Sequence, residues 1–100
     1  MELKKSKTNR NFHLIEFKDR YNKKCSLQES SLAEEAAIWF GVDDPEPKIM
    51  ASKTEAGGTG WVPYEIPKDV QLTTRMHITQ NQMKKMLPYL QKFAETGELR

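Results

Sequence analysis

The stretch that decides the fold class is Gln71-Leu72-Thr73-Thr74-Arg75-Met76-His77-Ile78, followed by Thr79 and an apolar stripe that runs to Gly97. Its β-branched and alternating residues predict a strand over 73–78. Thr79-Gln80-Asn81-Gln82 is the pattern of a capping box, so a helix is expected to begin directly after this strand. Gly97 is expected to end that helix. The helix should bury one continuous stripe, which consists of Met83, Met86, Leu87, Leu90, Phe93 and Ala94.

Three earlier segments also have the alternation of strands, over residues 11–18, 24–30 and 36–42. Asp19 to Lys23 is expected to join the first two as a bulged hairpin, with Asn22 in the left-handed conformation. These elements predict an α+β fold, in which an antiparallel sheet of about four strands (ββ-β-β) packs one face against a single C-terminal helix. Pro88 lies within the predicted helix, where a kink is expected.

Two segments fall outside this regular pattern. Residues 1–10 are polar, charged and without period, which predicts a disordered basic tail. Residues 43–70 hold four of the five prolines and predict a long loop within a single domain over 11–99. The middle of the loop, residues 52–60, is expected to be mobile. Its end, residues 61–66, is apolar enough to be expected against the sheet.

Composition excludes several classes of protein. The chain has 100 residues, 37% hydrophobic and 30% charged, which is ordinary for one soluble domain. No apolar run is long enough for a membrane span. The charged N-terminus has no apolar signal segment, and the single cysteine, Cys25, excludes an internal disulfide. These features favour a reducing cytoplasm.

The net charge of +2 is unevenly distributed. Residues 1–24 carry eight Lys and Arg against three acids, residues 25–70 carry three against nine, and residues 71–100 carry five against two. The basic N-terminus is therefore a candidate contact for an acidic partner such as a nucleic acid. The other interpretation is a solvated tail, because a dedicated nucleic-acid protein usually has a larger basic excess.

The period-2 pattern divides the predicted sheet into two faces. The face toward the helix would carry Ile15, Phe17, Cys25, Leu27, Ile38, Phe40, Met76 and Ile78. The opposite face would carry Phe12, Leu14, Glu16, Ser26, Gln28, Ser30, Trp39, Thr73, Arg75 and His77. This second set of residues is too apolar for a face that only contacts solvent and too polar for a hydrophobic core. Three possibilities stay open for what covers this face: the 61–66 segment, a second copy of the chain, or a ligand or partner.

Within the second face, Arg75 and His77 stand two residues apart and should project side by side, with Trp39 nearby. Gln28 and Ser30 complete this candidate binding face. A guanidinium fork, an imidazole and an indole surface suit a phosphate, a carboxylate or a base. The alternative is structural, with Arg75 paired to Glu16 across the sheet and His77 at a polar edge.

Catalytic and metal sites find little support in the pattern. His13, His77 and Cys25 match no zinc-ligand spacing, so neither a metal nor a cofactor is expected. Ser26, Ser30 and Ser31 lack a nucleophile elbow, so the chain is not expected to be an enzyme. The glycine-rich run over 57–60 lacks the Lys-Ser/Thr and helix of a phosphate loop.

The chain resembles a group of small conserved proteins of tailed bacteriophages and prophages. The resemblance covers residues 11–99. It is carried by Phe17-Lys18-Asp19-Arg20-Tyr21, Cys25-Ser26-Leu27-Gln28, Ser30-Ser31-Leu32-Ala33, Ile38-Trp39-Phe40-Gly41-Val42-Asp43-Asp44, Gly60-Trp61-Val62-Pro63-Tyr64, Thr74-Arg75-Met76-His77-Ile78-Thr79, Leu87-Pro88-Tyr89-Leu90-Gln91-Lys92-Phe93 and Glu95-Thr96-Gly97-Glu98-Leu99. Phe40 stands where Leu is expected, and Asn22 where Gly is expected. No catalytic or binding residue transfers from the group.

The resemblance implies a phage-encoded accessory protein that acts in the cytoplasm of a bacterial host. The expected function is non-catalytic binding to a host or phage macromolecule, in host takeover or evasion of antiviral defence. A protein is the favoured partner, and nucleic acid and a second copy of the chain are further candidates. Two alternative functions stay open: sequestering a nucleotide-like anion on the candidate binding face, and nucleic-acid binding through the basic N-terminus.

Overall fold

The computed structural model describes all 100 residues and contains two antiparallel sheets and one α-helix. The larger sheet has five strands in the order β1-β2-β3-β4-β7, and the smaller pairs β5 with β6. The elements are β1 (Lys4–Lys7), β2 (His13–Lys18), β3 (Lys24–Glu29), β4 (Ala37–Val42), β5 (Lys48–Met50), a 3₁₀ turn (Ala51–Lys53), β6 (Trp61–Pro63), β7 (Arg75–Thr79) and α1 (Gln80–Thr96). The predicted α+β class is confirmed, with five strands in the main sheet instead of about four.

The register of the main sheet confirms the division into two faces. Ile15 pairs with Leu27, Leu27 with Phe40, and Phe40 with Met76, so these four side chains share one face. We call this the apolar sheet face. The rings of Phe17 and Phe40 meet edge to face there, with centroids 6.4 Å apart. Cys25 and Ile78 are the buried apolar residues of this sheet.

The turn between β2 and β3 forms as predicted. The Asp19 carboxylate accepts hydrogen bonds from the backbone N–H groups of Tyr21 and Lys23, at 2.9 and 3.0 Å. Asn22 has a φ of 65°, which is the left-handed conformation that a bulged hairpin requires. Asparagine takes this conformation more readily than most residues because its short side chain can bond locally.

The predicted disordered tail over residues 1–10 is wrong from Lys4 onward. Lys4–Lys7 forms the edge strand β1 and pairs with β2, Lys4 opposite Glu16 and Lys7 opposite His13. A tight turn closes the hairpin: the Thr8 N–H donates to the Phe12 carbonyl and the Asn11 N–H donates to the Thr8 carbonyl, and Asn11 has a φ of 70°. Lysine-rich edge strands are common because the charges discourage pairing with other chains, so their polarity resembles that of a disordered segment.

The junction from β7 to α1 has no connecting residue. Thr79 ends the strand, and its hydroxyl accepts from the N–H of Gln82, while the Gln82 side chain accepts from the N–H of Thr79. The predicted capping box is confirmed. Gly97 ends the helix in the left-handed conformation, at φ 78°, also as predicted. The helix continues through Pro88 without a break.

The helix does not cover the apolar sheet face, contrary to prediction. Met83 is half-buried, but Leu90 is 40% exposed and Phe93 is 55% exposed. The direct junction explains the difference. Thr79 belongs both to the strand and to the helix cap, and Gln80 donates its N–H to the Ala36 carbonyl. The chain therefore has no free residue with which to turn the helix back over the sheet.

Asp44–Thr74 forms a compact unit of its own, distinct from the unit of Met1–Asp43 and Arg75–Arg100. Where the sequence predicts a long loop in a single domain, β5 and β6 pair as a hairpin, with Ile49 opposite Val62. The connection between them is closed by hydrogen bonds and contains the 3₁₀ turn, in which Ala51 is buried. Short paired segments between prolines give too few alternating residues to be recognised from the sequence.

The 61–66 segment does not show the burial that the sequence predicts. Trp61 is 67% exposed and Tyr64 is also exposed. Trp61 begins β6, and Tyr64 directly follows it. Pro63 lies opposite Lys48 of β5, and the Tyr64 N–H donates to the carbonyl of Pro47. The ordering of this segment therefore comes from its own hairpin.

Candidate functional site

The second face of the main sheet brings together the five predicted binding residues. Gln28 lies opposite Trp39, and Trp39 lies opposite His77, on three neighbouring strands. Arg75 precedes His77 by two residues on β7 and therefore shares its face. We call the set Gln28, Ser30, Trp39, Arg75 and His77 the aromatic face.

The centre of the aromatic face is a stack of two planar rings. The indole of Trp39 and the imidazole of His77 have centroids 4.0 Å apart and planes inclined by 8°. Their Cα atoms are directly paired across β4 and β7, which is the geometry in which side chains approach most closely in a sheet. Such aromatic pairs stabilise a fold by about 0.5–1.5 kcal/mol beyond the area they bury.

Arg75 adds a positive charge at the indole. Its guanidinium carbon lies 5.7 Å from the centroid of Trp39, within the range of a cation–π interaction. The guanidinium Nη1 also donates a hydrogen bond of 3.0 Å to Gln28 Oε1. Arg75 lies opposite Gly41, whose lack of a side chain leaves room for this approach along the sheet. The guanidinium is thus held next to the ring stack by two contacts.

The order of the strands excludes the alternative in which Arg75 pairs with Glu16. Glu16, Ser26, Gly41 and Arg75 occupy successive strands in one row. Glu16 and Arg75 are therefore three strand spacings apart, about 14 Å. Glu16 instead accepts a hydrogen bond from Ser6 on β1. Arg75 finds its partner in Gln28.

His77 and Ser30 share a hydrogen bond of 2.8 Å between Nε2 and Oγ, in which the donor depends on the tautomer of His77. The pair resembles the base and nucleophile of a hydrolase, but two features oppose that role. Ser30 Oγ already accepts from the N–H of Leu32, and Ser30 directly follows β3, with no helix after it to form the strained strand-to-helix turn of a nucleophile. The bond orients the imidazole on the indole.

Arg10 and Phe12 extend the site; Phe12 was expected on this face, whereas Arg10 was not. The guanidinium of Arg10 lies over the ring of Phe12, at 5.6 Å from its centroid. Both line a shallow recess of about 300 Å³ that Gln28 and Trp39 also line. The recess exists because the β1–β2 hairpin holds Arg10 near the sheet. The only sequence signal for this was the Asn-rich turn at 8–11.

Ser26 is the most buried polar residue of the sheet, 1% exposed, and lies in the row of Arg75. Its hydroxyl donates to the carboxylate of Asp43. A buried hydroxyl without a partner would destabilise the fold, so this bond explains how a serine is tolerated there. Nothing in its alternating sequence context signalled its burial.

The structure does not bring the candidate metal ligands together. Cys25 is on the apolar sheet face and His77 on the opposite one. No group of three or more His, Cys, Asp or Glu side chains is arranged to hold a metal ion. Burial, followed by the negative charge of Asp19, raises the pKa of the Cys25 thiol above its ordinary value. That direction makes the thiol less reactive.

Comparisons with protein-family models, with curated proteins and with solved structures find no match to this chain. The helix neither reaches the length nor has the apolar character needed to cross a membrane.

Proposed function

We propose that this chain is a non-catalytic binding protein whose aromatic face receives a protein of the phage or its bacterial host. The observation that carries the proposal is the stack of Trp39 on His77 with the Arg75 guanidinium beside it. Tryptophan and arginine are the side chains most enriched at the energetic centres of protein interfaces. Here they lie together on rigid strands, so binding costs little ordering of side chains.

The shape of the site favours a macromolecule over an enclosed small ligand. The aromatic face spans three strands, with His77 exposed and Trp39 half-buried. The recess beside it is shallow and lined by Arg10 and Phe12. Small-molecule sites are usually concave and bury most of the ligand. A flat surface with two arginines instead fits an acidic and partly aromatic surface on a partner.

The biological setting of the proposal comes from the resemblance to small phage and prophage proteins. An accessory protein of that kind acts in the host cytoplasm, by host takeover or by evasion of antiviral defence. Binding without chemistry suits such a role because occupying a partner's surface is enough to alter its activity.

Capture from infected-cell extract tests the proposal. Tagged wild-type protein, the Arg75→Gln variant and the control variant Arg20→Gln are compared. Arg20 is exposed in the β2–β3 turn, away from the aromatic face. We expect wild type and Arg20→Gln to retain the same partner and Arg75→Gln to lose most of it. Equal capture by all three would show that the partner binds elsewhere.

A nucleotide-like anion is a second candidate ligand because a base can stack on an indole and a guanidinium can hold a phosphate. A titration with nucleotide should then quench tryptophan emission, more at low salt than at high salt, because exposed charge contacts are screened. Trp61 also emits, so the titration is made in a Trp61→Phe background. Quenching that survives Arg75→Gln would exclude this site.

A further inference from the structure

The two outer strands of the main sheet differ in how well they are protected from pairing with another chain. β1 contains Lys4, Lys5 and Lys7, and lysines on an edge strand discourage such pairing. β7 lies at the other edge of the sheet and contains no lysine. Met76 is 54% exposed and His77 is also exposed. The middle of β7 is therefore open to solvent and to a further strand.

The hydrogen bonds between β4 and β7 show which peptide groups of β7 point away from the sheet. Gln80 donates its N–H to the Ala36 carbonyl, at 2.9 Å, and this pair continues the β4–β7 register by one position beyond Thr79. In an antiparallel ladder every second residue exchanges hydrogen bonds with the neighbouring strand. The residues of β7 that bond to β4 are therefore Ile78 and Met76.

The peptide N–H and carbonyl groups of Arg75 and His77 consequently point outward. No backbone hydrogen bond of the turns, loops or caps uses them. The open edge ends at Thr79, whose N–H is bonded to the Gln82 side chain. Outward peptide groups on alternate residues bind an extended segment, which adds a strand to the sheet.

The two residues with outward peptide groups also carry the exposed side chains of the aromatic face on β7. A residue that bonds Arg75 or His77 in an antiparallel ladder projects its side chain on the same side of the sheet as that residue. Gln28, which bonds the Arg75 guanidinium, is neutral. Opposite charges on paired strands stabilise a sheet, so the positive charge of Arg75 favours an acidic residue at this position.

The other side of the added strand meets Met76. Met76 lies opposite Phe40 on the apolar sheet face, and more than half of its surface is exposed. An apolar side chain between two acidic residues would cover it, because successive residues of a strand point to opposite sides of the sheet.

A second copy of β7 does not supply this chemistry. The antiparallel register that uses both outward residues of each copy sets Arg75 opposite His77 of the other copy. It brings two guanidinium groups and two imidazoles to the same side of the sheet without a negative charge. Like charges on paired strands are destabilising, so the edge favours a different chain with acidic residues.

We propose that the partner of the aromatic face pairs an extended segment antiparallel with β7, and that this segment alternates acidic and apolar residues. The acidic residues bond the peptide groups of Arg75 and His77 and lie beside their side chains. The apolar residue between them covers Met76. This inference rests on the proposed function of the aromatic face and adds how the partner is bound and what its segment contains.

Hydrogen exchange of the free protein, followed by nuclear magnetic resonance, tests the direction of the peptide groups. The amide hydrogens of Met76 and Ile78 should exchange slowly because they bond to β4, and those of Arg75 and His77 should exchange quickly. The reverse pattern would overturn the proposal, since the outward groups would then belong to the wrong residues.

A synthetic peptide of alternating glutamate and valine, blocked at both ends, tests strand addition. It is compared with two N-methylated forms, one methylated at valine amides and the other at an equal number of glutamate amides. All three peptides have the same side chains, but only glutamate methylation removes the N–H groups that face β7. We expect the unmodified and valine-methylated peptides to slow the exchange of the His77 amide. Glutamate methylation should weaken binding by about tenfold or more.

Variants of the protein complete the test. Arg75→Gln should weaken binding of the unmodified peptide by about two- to fivefold, whereas Arg20→Gln, in the exposed β2–β3 turn, should leave it unchanged. Circular dichroism confirms that both variants are folded. Equal binding of the two methylated peptides would overturn strand addition, and so would a peptide that does not bind. Neither result bears on capture of a partner by the aromatic face, which fails only if Arg75→Gln retains the partner.

Discussion

The aromatic face and the apolar stripe of α1 are two exposed regions of one small chain, and they differ in how many contacts their side chains make within it. The stripe, called the helix stripe below, consists of Met83, Met86, Leu87, Leu90, Phe93 and Ala94. On the aromatic face the side chains contact one another: Arg75 bonds Gln28, and His77 bonds Ser30 and stacks on Trp39. On the helix stripe the side chains past the first turn face solvent. The first surface is pre-organised by the sheet, whereas the second is organised only as a helix.

This difference indicates which side chains contribute to the free energy of unfolding of the monomer. The sheet residues contact side chains on neighbouring strands, so a substitution there changes the stability of the folded monomer. The stripe residues beyond Met83 are partly exposed, so they have less burial to lose in the monomer. The same substitution should therefore have unequal effects in the two regions at low protein concentration.

The largest expected effect separates Ile78 from Leu90. Ile78 is 6% exposed within the sheet, so Ile78→Ala should lower the free energy of unfolding by about 2–5 kcal/mol. Leu90→Ala should cost less, about 1 kcal/mol in dilute protein, because the side chain is already 40% exposed. Urea unfolding at low concentration measures both. Equal costs would mean that the stripe is packed within the monomer.

The helix cap should have the next largest effect. Thr79→Ala removes the hydroxyl that accepts from Gln82 N–H and should destabilise the protein by about 1 kcal/mol. Thr79→Ser keeps the acceptor and serves as the matched control. Thermal unfolding followed by circular dichroism checks the difference. If alanine and serine behave alike, the cap does not contribute to holding the helix against β7.

Substitutions of Trp39 and His77, whose rings stack on the aromatic face, should have coupled effects on stability. A double-mutant cycle on Trp39→Leu and His77→Ala should give an interaction free energy of about 0.5–1.5 kcal/mol. The residues are paired across β4 and β7, so their effects should not be additive. Strictly additive costs would contradict a stack in solution.

The smallest expected effect concerns the Cys25 thiol. Burial raises its pKa in the folded protein, so the unfolded chain loses its proton first as pH rises. Stability is therefore unaffected below the ordinary thiol pKa and falls as pH rises through the folded value. Comparing urea midpoints of wild type and Cys25→Ala between neutral and alkaline pH measures this loss. A wild-type midpoint that follows the alanine variant at every pH would contradict the burial.

Much of the aromatic face was predictable because a strand imposes a strict alternation. Trp39, Arg75 and His77 fall on one side of their strands whatever the rest of the chain does. That Gln28 meets Arg75, and Glu16 does not, depends on the register and order of the strands. Arg10 joins the site only through the β1–β2 hairpin, whose lysines resemble a solvated tail.

The sequence by itself determined the features that arise within a few residues: the alternation of the strands, the turn at Asn22, the capping box at Thr79 and the end of the helix at Gly97. Local hydrogen bonds and allowed backbone angles are enough for these. Only the tertiary structure decided that Lys4–Lys7 extends the sheet, that residues 44–74 form their own hairpin, and that α1 leaves its stripe exposed. Those outcomes depend on pairings between distant residues and on the direction of a junction without a linker. A periodic pattern marks which side of an element is apolar, but it does not specify what will cover that side.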